Sequence, residues 1–312
     1  MRVMVLGSYM QAHCLAVPAL PVRDASIHAY DYWQEHGGKG LNLAVGMHRL
    51  GLTVSLLLAV GDDAAGRAAQ EFLQTEGIST QHVLKLGAHS GLGVGLISAN
   101  TGNLIAVFSG ANHLLNAAHI ATLTEEITLA EIVCAQFEIQ PEVVLAAFQL
   151  AKRSQVKTLL NPSPWQKPSA ELLALTDILI LNEVEAQLMF ELTDATTLNQ
   201  QTWCNLNVGA YWAGELLIIT LAERGAILFR QDQAPLYIPA WQILQIDPTG
   251  AGDAFTAGLV YALVQQKTDT EALILANACG ALLAQQAGVL AVLPPLSTVE
   301  AFMQQNYSPL LG

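Results

Sequence analysis

Val3 to Leu6 is a short apolar run that stops at Gly7-Ser8, the pattern of an inner strand. Residues 9–36 are less regular, with Pro18, Pro21 and an alternating stretch around Ile27 to Trp33. After Gly37-Gly38-Lys39-Gly40, the positions Leu41, Ala44, Val45, Met47 and Leu50 recur at helical spacing, and Gly51 ends them. Thr53 to Val60 is a continuous β-prone run, which predicts a strand covered on both faces. Gly61-Asp62-Asp63 breaks it, and Ala64 to Glu76 reads as a helix up to Gly77. Two extended runs, GLGVGLISA and LIAVFS, flank Asn100-Thr101-Gly102-Asn103 and predict a β-hairpin over 91–109.

From residue 117 helical and strand patterns alternate. Helix 117–127 precedes strand 131–137, and helix 141–153 precedes strand 156–160. Strand 177–181 leads to helix 183–191, helix 200–213 leads to strand 215–220, and helices 251–265 and 270–286 follow. Alternation of this kind predicts an α/β fold with a mainly parallel sheet and helices on both faces. No linker divides residues 1–312, so one domain is expected. Segments 9–36 and 91–109 do not fit the alternation. They are expected to form a small second sheet, a lid over a ligand site at the strands' carboxyl edge.

Composition narrows the function. Apolar residues make up 52% and charged residues 12%, which excludes a disordered chain. The formal charge is −13, and Lys and Arg are scattered singly, so no nucleic-acid partner is expected. Nucleotides stay open, because backbone N–H groups at helix ends can hold them. Cys14, Cys134, Cys204 and Cys279 form no CxxC or Cys/His cluster, which points to a cytoplasmic protein without disulfides or structural zinc. The apolar start MRVMVLGS is too short for a signal peptide. The apolar stretch Ala272 to Leu296 is interrupted by Asn277, Gln285 and Gln286, and is expected to be a buried helix followed by a strand; no membrane partner is expected.

Four segments carry candidate chemistry. Asp247-Pro248-Thr249-Gly250-Ala251-Gly252-Asp253 opens a helix. Small residues at 250–252 let N–H groups converge at its positive end, where an anion fits, and Asp253 in the first turn can take a proton from an attacking hydroxyl. An ordinary helix start with an acidic first turn fits the same residues. Gly37-Gly38-Lys39-Gly40-Leu41-Asn42 allows close backbone approach, with Lys39 and Asn42 on one face to bond hydroxyls; a tight turn is the alternative. Asn182-Glu183-Val184-Glu185 follows a strand, so Asn182 and Glu185 are either placed to orient a hydrated Mg²⁺ or are an N-cap and a solvated acid. Thr220-Leu221-Ala222-Glu223-Arg224-Gly225 is another strand-end loop. No GxxxxGK[ST] occurs, and Gly91-Leu92-Gly93-Val94-Gly95 opens no helix, which argues against a P-loop and a dinucleotide fold.

In combination, GGKGLNLA and DPTGAGDAFTAG resemble the N-terminal and C-terminal signatures of the ribokinase-like carbohydrate kinases, the PfkB family, nearest the ribokinase branch in spacing. GDDAAG at 61–66, Asn161-Pro162-Ser163-Pro164 and ITLAERG follow in family-like order, from Val3 to about Pro294. The resemblance implies a three-layer α-β-α fold and a kinase that moves the γ-phosphate of ATP, with Mg²⁺, to a hydroxyl of a sugar or nucleoside-like alcohol. It implies Asp253 as catalytic base and Gly250, Ala251 and Gly252 as the anion hole. Gly38, Lys39, Asn42 and Glu138 match sugar-binding positions; Asn182 and Glu185 match the NxxE motif. Thr220, Gly225 and Asn277 match the nucleotide's surroundings, and Asp247 and Thr249 match a monovalent-cation site, usually K⁺. The lid segments match a sheet that often also makes a homodimer.

The sequence departs from the pattern after the first strand. Ribokinases carry GSxNxD there; this chain has Gly7-Ser8-Tyr9-Met10-Gln11-Ala12-His13, with Met10 and Ala12 where Asn and Asp are expected. Each lost buried hydrogen bond to a sugar costs roughly 1–3 kcal/mol, which argues against ribose and for a less polar or differently shaped acceptor. Gln11 and His13 alternate onto the other face. Pro248 replaces the usual Thr. A non-catalytic sugar or nucleotide sensor is the alternative that the loss at Met10 and Ala12 raises.

Overall fold

The computed structural model describes residues 1–98, 100, 102–192 and 199–306. Its first strand, β1 (Arg2–Leu6), sends Val3 and Val5 into one buried cluster and Met4 and Leu6 into another, on opposite faces of the main sheet. The chain continues through β2 (Met10–Ala16), β3 (Asp31–Gly37), α1 (Lys39–Arg49), β4 (Thr53–Val60), α2 (Ala64–Glu76), β5 (Val83–Lys85), β6 (Gly91–Ser98) and β7 (Gly102–Phe108). Next come α3 (Ala117–Ala121), α4 (Thr124–Thr128), β8 (Ile132–Gln136), α5 (Pro141–Arg153), β9 (Lys157–Asn161), α6 (Ala170–Ala174), β10 (Ile178–Asn182) and α7 (Glu183–Met189). Then follow α8 (Gln200–Cys204), β11 (Leu216–Thr220), β12 (Ala226–Arg230), β13 (Leu236–Ile238), α9 (Ala251–Val264), α10 (Asp269–Ala284) and α11 (Leu296–Asn306).

The main sheet runs β13-β12-β11-β10-β9-β8-β1-β4-β5. Pairs from β11 to β5 are parallel, and β12 and β13 add an antiparallel edge. Helices α1, α2, α9 and α10 cover one face and α3 to α8 the other, so central strands such as β8 are buried throughout. This is the expected three-layer arrangement. The segments 9–36 and 91–109 supply a separate four-stranded sheet, β3-β2-β6-β7, in which β2 and β6 are parallel and the other pairs antiparallel. Thr101, in the expected hairpin turn, lies outside the described residues.

Several expectations need correction. The helix expected over 117–127 is two, because the hydroxyls of Thr122 and Thr124 bond the carbonyls of His119 and Ala121 and compete with helical continuation. The helix expected over 200–213 stops at Cys204; Asn205 caps it, and only a 3₁₀ turn at Val208–Ala210 follows. The strand expected before Leu296 is a 3₁₀ turn, Leu290–Val292, after a left-handed Gly288. Strands β5 and β13 and helices α6 and α11 carry patterns too short or too polar to announce themselves, and the apolar run of β12 lies outside the expected elements. Among the described residues no helix is long and apolar enough to cross a membrane.

Candidate active site

The site is built where β1 ends and α1 begins. Gly7-Ser8 passes so close to α1 that Ser8 Oγ accepts the Gly40 N–H at 3.1 Å and the Ser8 carbonyl accepts the Leu41 N–H. The same hydroxyl donates to Glu138 Oε2 at 2.6 Å, and that oxygen also accepts the Lys39 N–H at 2.8 Å. Gln136, at the end of β8, donates to Ser8 Oγ and accepts the Glu138 N–H. The carboxyl ends of β1 and β8 and the first turn of α1 are thereby locked together.

Opposite them, the first turn of α9 presents Asp253, only 5% exposed. Asn42 Nδ2 donates to its Oδ2 at 2.8 Å, and Lys39 Nζ lies 3.6 Å from its Oδ1. Gly40, Asn42 and Asp253 come from segments some 210 residues apart, joined by the packing of α1 against α9. The Asp253 carboxylate holds the Lys39 ammonium above its ordinary value, against the burial that opposes it. Asn42 spends its amide nitrogen on Asp253 and leaves Oδ1 buried without a donor. A buried acceptor of this kind costs free energy until a donor arrives, and a ligand hydroxyl is such a donor.

Gly250 caps α9 in the left-handed region, with φ 76°, which a residue with a Cβ adopts only under strain. Pro248 O accepts the Ala251 N–H, so that donor is already used in this state. The N–H groups of Gly250, Gly252 and Asp253 donate to nothing among the described residues and remain free at the positive end of a 14-residue helix. Asp247 Oδ1 accepts the Thr249 N–H at 2.9 Å, which shapes the approach to this loop.

The remaining expected residues lie along the same edge of the sheet. Asn182 and Glu185 form a reciprocal capping box on α7, and Asn161 reaches Glu185 Oε2 at 3.5 Å. Glu185 also acts electrostatically on Lys39, as Asp253 and Glu138 do. Thr220 pairs with Asn182 across β10 and β11. Gly225 and Asn277 both meet the end of β13: a Cβ on Gly225 would lie 2.1 Å from Ile238 O, and Asn277 Nδ2 donates to the carbonyls of Ile238 and Pro239. Sequence reasoning missed Ser8 and Gln136 as members of the network, and Asn161 as Glu185's neighbour. The signal available was their position at strand carboxyl ends.

Burial raises Glu138 above its usual carboxylate range, the bonds from Ser8 and Lys39 partly opposing this. A raised folded pKa favours the protonated form, so the charged form costs stability once pH rises through that value. Glu138→Gln, whose amide oxygen can still accept both donors, is therefore expected to hold or raise the Tm at neutral pH while weakening acceptor binding. Thermal melts and acceptor titrations check this; a marked drop in Tm would contradict it.

A model of the pfkB family of carbohydrate kinases matches residues 1–295. The chain is 30% identical to a ribokinase of Haemophilus influenzae over 302 residues, 96% of this chain and 97% of that one. It is 31% identical to a mouse ribokinase over 266 residues, 84% and 81% of the two chains, and 28% identical to a deoxyribokinase of Salmonella typhi over 271 residues, 85% and 86%. An Arabidopsis thaliana ribokinase structure, complexed with ribose and ATP, superposes with a TM-score of 0.88 at 26% identity, over 97% of this chain and 98% of that one.

Proposed function

This chain belongs to the pfkB family of carbohydrate kinases, and from that premise we propose that it transfers the γ-phosphoryl group of ATP to a hydroxyl of a sugar or nucleoside-like alcohol, with Asp253 as general base. One observation carries the reading: Lys39 and Asn42 converge on a buried Asp253 beside unused N–H groups of a helix start, with an orphaned Asn42 oxygen waiting for a hydroxyl. Asp253 takes the hydroxyl proton as that oxygen bonds to the γ-phosphorus. The bond from phosphorus to the bridging oxygen breaks, and ADP leaves with the electron pair. The N–H groups of Gly250 and Gly252 face the charge that develops on the phosphoryl oxygens, and Lys39 offsets the nearby negative charge.

The donor set fits magnesium held through water. Glu185 lies within reach of the site's field, and no cluster of three His, Cys, Asp or Glu able to hold a metal directly occurs among the described residues. Glu185 would hold it through water, and the ion would supply charge neutralisation for the phosphates. Asp247, whose Oδ1 accepts the Thr249 N–H, would together with Thr249 hold a monovalent cation such as K⁺.

On the lid side Met10 and Ala12 offer no hydrogen bond, so an acceptor with an apolar edge is favoured over ribose. Gln11 and His13 do not compensate: they bond Gln34 and Tyr32 of the neighbouring strand. The test is a thermal-shift screen of ribose, deoxyribose, fructose and nucleosides with a non-hydrolysable ATP analogue, followed by ATP turnover. A ligand at 100 times its Kd adds about 2.7 kcal/mol of stability. Binding without turnover for every compound would favour a sensor.

The lid also supports a homodimer. Its edge strand β7 exposes Leu104, Ile105, Val107 and Phe108, each more than half exposed, on a row of unpaired backbone groups. The wild type is expected to sediment as a dimer and Ile105→Glu as a monomer; a monomeric wild type overturns this reading. Free cysteines throughout, two of them fully buried, accord with a reducing cytoplasm.

A further inference from the structure

The register of the lid sheet places Glu35, Ala12, Gly93 and Val107 in one row across β3, β2, β6 and β7. Directly opposed residues point to the same face, and their Cβ atoms lie about 5 Å apart. Glu35 is thus the immediate cross-strand neighbour of Ala12, the position where an acid was expected and is missing. On the other side of Ala12 stands Gly93, which has no side chain to fill the space: a Cβ there would meet only Ala12 Cα, at 4.0 Å. The row is a trough with a methyl group on its floor and a carboxylate on its wall.

This carboxylate is set toward the reacting end of the molecule. The Val289 N–H acts on the Glu35 carboxylate, and a Cβ on Gly288 would lie 3.4 Å from its Oε2. Val289 in turn packs on Gly250, the cap of the anion-binding turn, where an added Cβ would come within 2.5 Å of Val289 Cγ1. Glu35 is half-buried and makes no ion pair among the described residues; Asp247 and Cys14 are the groups that share its surroundings. A carboxylate with four lone-pair positions and no ion pair among the described residues has capacity left for hydroxyl donors.

We infer that Glu35 is the specificity-determining carboxylate of the acceptor site: from the strand beside Ala12, it replaces the missing acid and accepts a hydroxyl hydrogen from the acceptor. The acceptor then carries a hydroxyl on the Glu35 side and an apolar edge on the Met10 side. The inference deepens the kinase reading and rests on it for the identity of the pocket.

The experiment separates the two. Binding of D-ribose, 2-deoxy-D-ribose and D-fructose to the full-length protein is measured by calorimetry, alongside steady-state kinetics, for the wild type, Glu35→Ala and the double variant Glu35→Ala/Ala12→Asp. The loss of a charge-assisted bond is expected to weaken the best-bound sugar at least about tenfold in Kd and KM, with the KM for ATP unmoved. Returning an acid at position 12 is expected to recover at least about threefold of that loss, which a merely structural role for Glu35 would not produce. An unchanged sugar Kd in Glu35→Ala overturns the inference, as does a fall in kcat with unchanged Kd, which would make Glu35 a tether for Val289. If sugars bind in a Glu35-dependent way but no phosphate is transferred, the kinase reading fails and the role of Glu35 stands. If no sugar binds the wild type, the inference fails.

Discussion

Asp253→Asn keeps ATP binding and loses at least about two orders of magnitude in turnover, the range over which a general base contributes. The substitution preserves size, and its amide oxygen can still accept from Asn42 Nδ2, which donates to Asp253 at 2.8 Å. What disappears is the basic site and the charge opposite Lys39, 3.6 Å away. The ammonium of Lys39, held up chiefly by Asp253, then drops toward its ordinary value. Its stabilising contribution in the wild type is present below the unfolded pKa and is lost only as pH rises through the raised folded one, so the variant's stability deficit should be present at neutral pH and shrink in strong alkali. In the proposed mechanism nucleotide affinity rests instead on the backbone N–H groups of Gly250 and Gly252, which the substitution leaves in place. The check is a nucleotide titration beside kcat on the best acceptor from the screen. Near-normal kcat would remove Asp253 from the chemistry; lost nucleotide binding would show that its carboxylate shapes the turn itself.

The legible part of this chain was what repeats locally. Apolar runs such as Thr53–Val60 and capped helices such as Ala64–Glu76, with Asp63 bonded to the Gly66 N–H and a left-handed Gly77, carry their signals within a dozen residues. The glycine-rich starts of α1 and α9 were legible for the same reason. Illegible were the contacts between distant segments. Ser8 reaches Glu138 across 130 positions and Asn42 reaches Asp253 across 211, and no local pattern encodes either. The orphaned Asn42 oxygen and the Glu35–Ala12 pairing exist only once α1 packs on α9 and β3 registers on β2. Short edge strands failed for another reason: β5 and β13 have three residues each, too few for a period to show. At Asn182 the N-cap reading holds as a capping box with Glu185, but Glu185 is buried rather than solvated, because its carboxylate bonds the Asn182 N–H and lies in the field of Lys39.

Gly40→Ala should disable this protein through backbone geometry alone. An added Cβ would stand 2.2 Å from Gly7 Cα, 2.3 Å from Ser8 N and 2.6 Å from Gly7 C, all main-chain atoms at the buried end of β1. No side chain can rotate away, so α1 must retreat by roughly 1 Å to reach ordinary van der Waals distance. The displacement breaks the Gly40 N–H bond to Ser8 Oγ and pulls the Lys39 N–H from Glu138. Overpacking of this severity costs about 3 kcal/mol, a fall in Tm of roughly 6 °C or more. Because Lys39 and Asn42 ride on the same turn, their aim at Asp253 shifts with it, and a 1 Å misplacement can cost about a hundredfold in rate. Gly51→Ala is the control: it sits at the far end of α1 with nothing within 4 Å of the new Cβ, so its φ of 97° predicts only about 1 kcal/mol of strain and unaltered kinetics. If Gly40→Ala melted and turned over like the wild type, the close passage of β1 under α1 would not be what aims Lys39 and Asn42 at Asp253.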